Sequence, residues 1–237
     1  MKKLKSLSVF FPVYNEEENI PLFVNEALEI LPRVAQKYEI IIINDGSKDR
    51  SKKIAQTLAK ENKNIRLVNH RDNRGYGAAL KSGFKASKYD WVFFTDGDLQ
   101  FNLHQIKKFI PHTENHDLMI GFRKKRAEGK IRAFNARLFK VYIDLLFRLH
   151  VKDIDCAFKL IKANQIKSLN LISDGAFTSA EFLYKLKKKK VKLKQIAVTH
   201  QARKFGKPTG NDFKVIVKAG WEALRLYSQI KFGLFKS

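Results

Sequence analysis

An α/β fold with a mostly parallel central sheet is predicted by three features of this 237-residue chain. Short apolar runs recur at LSVFF (7–11), EIIII (39–43), IRLV (65–68), WVFFT (91–95) and LMIG (118–121). Helical patterns fill the intervals, over 18–36, 50–62, 76–88 and 103–110. The segment after each of the first four runs is polar.

Each feature has a physical reading. Runs that are apolar throughout suit strands covered on both faces. Strand, helix and strand in repetition imply right-handed βαβ units and parallel pairing. In such sheets ligands bind beyond the carboxyl ends of the strands. There lie PVYNEEEN (12–19), NDGSKD (44–49), NHRDNRGYGAAL (69–80) and DGDLQ (96–100).

The second half is less regular. Residues 130–149 read as an amphipathic helix, CAFKLI (156–161) as a strand and 179–190 as a helix. Residues 191–198 read as a strand and 211–232 as a last helix. No internal repeat or low-complexity linker is visible. The expected organisation is one unit over 1–210, followed by a C-terminal amphipathic helix within 211–237.

Composition narrows the class. The chain is 44% hydrophobic and 30% charged, which is globular, and at this length a sizeable core can form. One cysteine, Cys156, excludes an internal disulfide and fits a reducing compartment. Its expected role is that of a small buried apolar residue. The basic N-terminus is interrupted by Pro12 and then by acids, unlike a signal peptide. No run approaches the roughly 18 apolar residues of a membrane span.

The charge is strongly uneven. Lys and Arg number 47 against 23 Asp and Glu, a net charge of +24. Such a balance favours polyanions: nucleic acid, an anionic membrane surface or phosphorylated substrates. Acids are frequent up to residue 50, whereas basic residues crowd FRKKRAEGKIRAFNAR (122–137) and YKLKKKKVKLK (184–194). Acids on the binding edge, and the lack of any nucleic-acid-binding signature, argue against nucleic acid as a partner.

The stretch WVFFTDGDLQF (91–101) carries the most chemistry. It ends a buried run in Asp96 and Asp98. In an extended segment residues two apart point the same way, so both carboxylates and the Gln100 amide are expected to converge. Oxygen donors without His or Cys suit Mg²⁺ or Mn²⁺. Mg²⁺ is usually shared between one or two carboxylates and substrate phosphates, which implies a phosphate-bearing ligand. The plain alternative is a solvated Asp-Gly-Asp turn.

The other loops have two readings as well. Asp45 can accept from a nucleobase or ribose, or cap the next helix as Ser47 and Asp49 can. Glu16 can orient a base or favour a helix N-terminus. RGYGAALKSG (74–83) lacks the third glycine of a dinucleotide fingerprint and follows the third strand, which excludes a Rossmann dehydrogenase.

In combination the motifs are more specific. FPVYNEEENI, IIINDGSKDRS, NRGYGAALKSGF and FFTDGDLQ, in this order and spacing, resemble the family 2 glycosyltransferases of the GT-A fold. Within them the likeness is to the branch of dolichol-phosphate mannosyltransferase and bacterial polyprenyl-phosphate sugar transferases. It extends to about residue 210. The resemblance implies that Pro12, Tyr14, Glu16, Asp45 and Lys81 hold the nucleotide of a sugar donor. It places Asp96 near the ribose and metal, and Asp98 and Gln100 on the metal.

The acceptor side follows from the same resemblance. IGFRKKR supplies Arg123, KIRAFNARLF supplies Arg132 with Asn135 nearby, and GAFTSAEFL supplies Glu181. VTHQARKFGKPTG supplies His200, Arg203 and Lys207, in a loop that closes over the diphosphate and the acceptor phosphate in the family. Cys156, Ala157, Phe158 and Lys159 stand where many relatives carry a Ser-Gly-Phe-Arg-like stretch. Arg and Lys suit phosphate oxygens; a solvated basic face is the alternative for each, and His200 has a structural reading at a strand end.

The implied reaction is inverting transfer from a GDP- or UDP-sugar to a polyprenyl phosphate. A lipid phosphate is already anionic and needs no general base. A hydroxyl acceptor would need one, and Glu181 is the residue for that role. The helices over 130–149 and 211–232 mix apolar bulk with Lys and Arg. On the last helix Phe213, Val217, Trp221 and Leu224 form a stripe beside Lys214, Lys218 and Arg225. That pattern suits a membrane interface. The expected location is cytoplasmic, peripheral on the inner face of the cell membrane.

Overall fold

The computed structural model describes residues 2–124, 130–205 and 213–232, with backbone alone at 130–136, 213–218, 230 and 232. The first half alternates strand and helix: β1 (Leu4–Val13), α1 (Asn19–Val34), β2 (Ala35–Asp45), α2 (Ser51–Glu61), β3 (Ile65–His70), α3 (Tyr76–Ala86) and β4 (Trp91–Phe94). Then follow β5 (Leu118–Arg123), α4 (Lys130–Phe147), β6 (Lys159–Lys162), α5 (Ala163–Ile166), α6 (Thr178–Lys188), β7 (Leu193–Val198) and α7 (Phe213–Phe232). The helix expected at 103–110 is instead a pair of 3₁₀ turns, Leu103–Lys108 and Ile110–His112. Pro111 has no N–H to continue an α-helix there.

Among the described residues seven strands form one sheet, in the order β3-β2-β1-β4-β6-β5-β7. The pairs β1–β2, β1–β4, β2–β3 and β5–β7 are parallel. β6 alone runs antiparallel, between β4 and β5. The chain therefore steps outward from β1 to β3, then returns to lay β4 on the other side of β1. That reversal opens a crevice between the loops leaving β1 and β4, the usual ligand position in such sheets.

Continuous apolar runs are explained by two cores. Val9, Phe11, Ile40, Ile42 and Phe93 point to a face covered by Phe23, Val24 and Ala27 of α1, with Ile106 and Phe109. Phe10, Ile41, Ile43, Val92 and Phe94 point to the other, under Ala79, Leu80 and Phe182. Both sets are buried, so the central positions of these strands are apolar on both faces.

α7 belongs to the second core: Ala219, Ala223 and Leu226 are buried there. It lies on α4, where the Tyr142 hydroxyl donates to the Gly220 carbonyl (3.0 Å). The outward faces of this pair leave Leu138, Val141, Leu145, Trp221 and Leu224 exposed. Among the described residues no helix is long and apolar enough to cross a membrane.

Candidate functional site: an acid pocket at the switch point

The loops after β1 and β2 are sewn together. The Asn15 N–H donates to Ser47 Oγ (3.0 Å), and its side-chain oxygen accepts from the Lys48 N–H (2.8 Å). The Glu16 N–H donates to Ser51 Oγ (2.9 Å) and the Glu17 N–H to Asp49 Oδ2 (3.2 Å). Asp49 also caps α2, accepting from the Ser51 N–H (2.9 Å). Gly46 makes the turn possible: its φ is +70°, and a Cβ would lie 2.3 Å from the Asp72 backbone. Pro12 and Tyr14, half-buried, lead from β1 into this platform.

Asp45 faces inward. Its carboxylate takes His70 Nδ1 (2.6 Å) and the N–H groups of Arg74 (3.0 Å) and Gly75 (2.9 Å). His70 Nε2 in turn meets Ser82 Oγ (2.8 Å). The helix that Asp45 serves is therefore α3 and not the next one, because the RGYG segment folds back over the end of β2. These bonds occupy the carboxylate that was expected to face a nucleotide. Lys81 is likewise engaged, pairing with Asp174 (2.6 Å) and reaching the Ile172 carbonyl (3.4 Å). Both residues organise the walls of the crevice.

The acids after β4 converge through a turn and not through extension. The strand ends at Phe94, and Leu99 has φ +59°. Asp98 Oδ1 accepts the Gln100 N–H (3.1 Å), closing the turn on itself. Burial and then the Asp98 charge push the Asp96 carboxyl up to about 7, against a hydrogen bond from Tyr76 and the charges of Lys159 and Arg123. Asp96 Oδ1 is buried without a hydrogen-bond partner. The Gln100 side chain turns toward the loop past β7, its Nε2 donating to the Gln201 carbonyl (3.2 Å).

Arg203 enters this pocket from the loop past β7. Its guanidinium spans Glu16 Oε1 (2.7 Å) and Asp98 Oδ2 (2.9 Å). Burial pulls its pKa down, but Asp98 and Glu16 outweigh this and hold it above the usual value. Burial raises the Glu16 pKa despite Asn19 and Arg203. The sequence expectation thus brings Glu16, Asp96, Asp98 and Arg203 to one place. His200 packs edge-on against Phe101 (4.9 Å), its structural reading.

Two expected acceptor-side residues are placed differently. Arg123 is buried and forked onto Asp153, with Nε at 2.7 Å and Nη2 at 2.8 Å, so this edge of the guanidinium is held by the protein. Glu181 is wholly buried. It accepts the Ile172 and Ser173 N–H groups (2.8 Å each) and pairs with Lys185 (2.6 Å). A base must reach its proton, so this position corrects the expectation that Glu181 can serve as one. The Arg132 and Asn135 side chains, and Lys207, lie outside the described residues.

Three residues near the pocket were given no role by the motif reading, although Lys159 stood in a stretch it compared. Tyr76 starts α3 and hydrogen-bonds Asp96. Asp153 holds Arg123. Lys159 is 1% exposed and donates to the Ile154 and Cys156 carbonyls. The signal available was charge flanking an apolar run, in DIDCAFKLI, and a tyrosine between two glycines.

Hard oxygen donors, an orphaned carboxylate oxygen and a neighbouring amide fit a divalent cation shared with phosphates. Among the described residues no three His, Cys, Asp or Glu side chains form a self-sufficient metal cluster. A cation held here would share its coordination with phosphate oxygens of a ligand.

The sheet order, with the acid turn placed past β4, defines a fold of the GT-A type. Structurally the chain is similar to glucosyl-3-phosphoglycerate synthase of Mycobacterium tuberculosis in complex with Mn²⁺, UDP and glucosyl-3-phosphoglycerate, with TM-score 0.73 and 17% identity over 98% of this chain and 82% of that one. The family model of glycosyl transferase family 2 matches residues 8–170, and the chain belongs to that family. It is 31% identical to a dolichyl-phosphate beta-glucosyltransferase of Dictyostelium discoideum, over 81% of this chain and 65% of the relative. It is 28% identical to an undecaprenyl-phosphate 4-deoxy-4-formamido-L-arabinose transferase of Aeromonas hydrophila, over 70% of this chain and 52% of the relative. The chain thus spans about half to two thirds of the length of these relatives.

Proposed function

We propose that this chain is an inverting, metal-dependent glycosyltransferase that moves a sugar from a nucleoside-diphosphate sugar, GDP-mannose or a UDP-hexose, to a polyprenyl phosphate. The observation that carries the reading is the acid pair Asp96 and Asp98 at the switch point, with one buried carboxylate oxygen lacking a partner. The names of the two relatives supply the acceptor class.

Asp96, Asp98 and the Gln100 amide oxygen would hold Mg²⁺ or Mn²⁺, which when bound neutralises charge on the departing diphosphate. The Pro12 and Tyr14 segment lines the crevice where the nucleotide base would lie. The platform built by Glu17, Ser47 and Asp49 keeps that wall rigid. Asp45 and Lys81 act behind it, fixing the RGYG segment and the 172–174 loop. Arg203 brings a cation to the side of the pocket where the acceptor phosphate must arrive, and Arg132 on α4 is proposed for the same phosphate.

The acceptor phosphate is anionic, so its attack on the anomeric carbon needs no proton removal. The buried, saturated state of Glu181 supports this acceptor over a hydroxyl. The exposed apolar residues of α4 and α7, beside a net charge of +24, support peripheral attachment to an anionic membrane.

Thermal-shift screening of GDP- and UDP-sugars, with and without Mn²⁺, tests the donor. The best donor is then incubated with a short polyprenyl phosphate and the product weighed. The expected product is the lipid phosphate plus one sugar. Failure of every nucleotide sugar to stabilise the protein would overturn the proposal.

A further inference from the structure

Both oxygens of Asp98 are engaged inside the protein. Oδ1 accepts the Gln100 N–H and Oδ2 the Arg203 guanidinium. Arg203 shares its other branch with Glu16, and its Nε is buried without an acceptor. The loop carrying Arg203 is stitched to the acid turn in both directions. The Gln201 N–H donates to the Gln100 carbonyl (2.8 Å), and the Gln100 amide donates to the Gln201 carbonyl (3.2 Å).

We propose that Arg203 is an internal counter-cation competing with a divalent ion for Asp98, and that Glu16 is the positioning residue that keeps the guanidinium at the pocket when Asp98 releases it. The inference rests on the reading of this pocket as a metal–diphosphate site. The charges make the contact necessary. Glu16, Asp96 and Asp98 crowd one partly dry pocket, each of the outer two raised in pKa by burial and by the charge of Asp98. A guanidinium between them offsets the repulsion. A divalent ion does the same, but it needs the lone pairs of Oδ2 that Arg203 occupies. Two cations on one oxygen also repel.

Glu16 is built to retain the arm. Its Oε2 accepts from Asn19, its Oε1 holds Arg203, and its backbone N–H is tied to Ser51. The carboxylate therefore stays in place whichever cation Asp98 binds. Divalent metal alone should bind weakly, because it must first break the Arg203–Asp98 contact. A phosphate-bearing ligand should strengthen that binding by giving the released guanidinium a new partner.

The test is Mn²⁺ titration followed by electron paramagnetic resonance, on the full chain and without nucleotide. Arg203→Met should bind Mn²⁺ about ten-fold more tightly than the parent. Arg203→Lys keeps the charge but loses the fork, so one ammonium cannot span both acids. It should also tighten Mn²⁺ binding, by less. Equal affinity in Arg203→Lys and the parent would mean that charge alone matters and would overturn the exchange. Unchanged or weaker binding in Arg203→Met would overturn it as well. A parent that binds no Mn²⁺ even with UDP or GDP present would instead remove the metal reading, and the competition with it.

Discussion

Arg123 and Arg203 both end on carboxylates at the carboxyl edge of the sheet, in regions built differently. Arg123 leaves the end of β5 with its side chain 6% exposed, and both oxygens of one residue, Asp153, match its fork. Arg203 hangs on a loop, 21% exposed, and divides its fork between Glu16 and Asp98 from two separate loops. A fork matched to both oxygens of one buried carboxylate is a strut. A fork split between two acids, with Nε left over, can be rearranged by a competing cation. Counting arginines near a phosphate site therefore says less than asking what already holds each one.

The largest effect should come from the strut. Asp153→Asn removes the forked partner of a buried guanidinium and should cost about 3–5 kcal/mol of stability, read from urea unfolding. A loss below 1 kcal/mol would erase the contrast. Asp98→Asn should do the reverse. The folded protein persists, while sugar transfer falls at least about a hundred-fold in a product assay. A similar rate in the variant would sink the metal reading.

Glu181→Gln belongs with the strut. It weakens the bonds to the Ile172 and Ser173 N–H groups and to Lys185, at about 1–3 kcal/mol in a thermal melt. The rate per folded molecule should stay near the parent's. A large fall in that rate with unchanged stability would restore the base role.

The acid pocket should also show in pH. Burial and Asp98 raise the Asp96 carboxyl to about 7. A raised acid in the folded state means that metal-free stability falls as pH rises from about 4 toward 7, since the unfolded carboxyl ionises near 4. Below pH 7 a cation must displace that proton, so Mn²⁺ affinity should drop roughly ten-fold per unit. Titrations at pH 6 and 8 check the sign. The smallest effect concerns the outer face of α4 and α7. Leu145→Glu or Trp221→Ala should lower binding to anionic vesicles a few-fold, and added salt should weaken the parent's binding too.

Much of the scaffold was legible beforehand. The five leading strands sit where the apolar runs lie, because strands buried on both faces leave little room for polar residues. The position of the acids was legible as well, since they stand directly past the fourth apolar run. The mechanism of convergence was not: an extended DGD was expected, but Asp98 closes a turn with Leu99 at positive φ. The antiparallel β6 was not legible either, since four residues carry no sign of strand direction.

Residue composition and order alone determined the α/β alternation, the position of the acids past β4 and the large positive charge, because each is a local or summed property. Only the tertiary structure decided which charges face the pocket. It turned Arg123 onto Asp153, Asp45 onto His70 and Glu181 onto the 172–173 backbone, while drawing Arg203 to Glu16 and Asp98 from more than a hundred residues away. The physical reason is that a buried charge needs a partner, and partners are chosen by distance in space, which the spacing of letters does not specify.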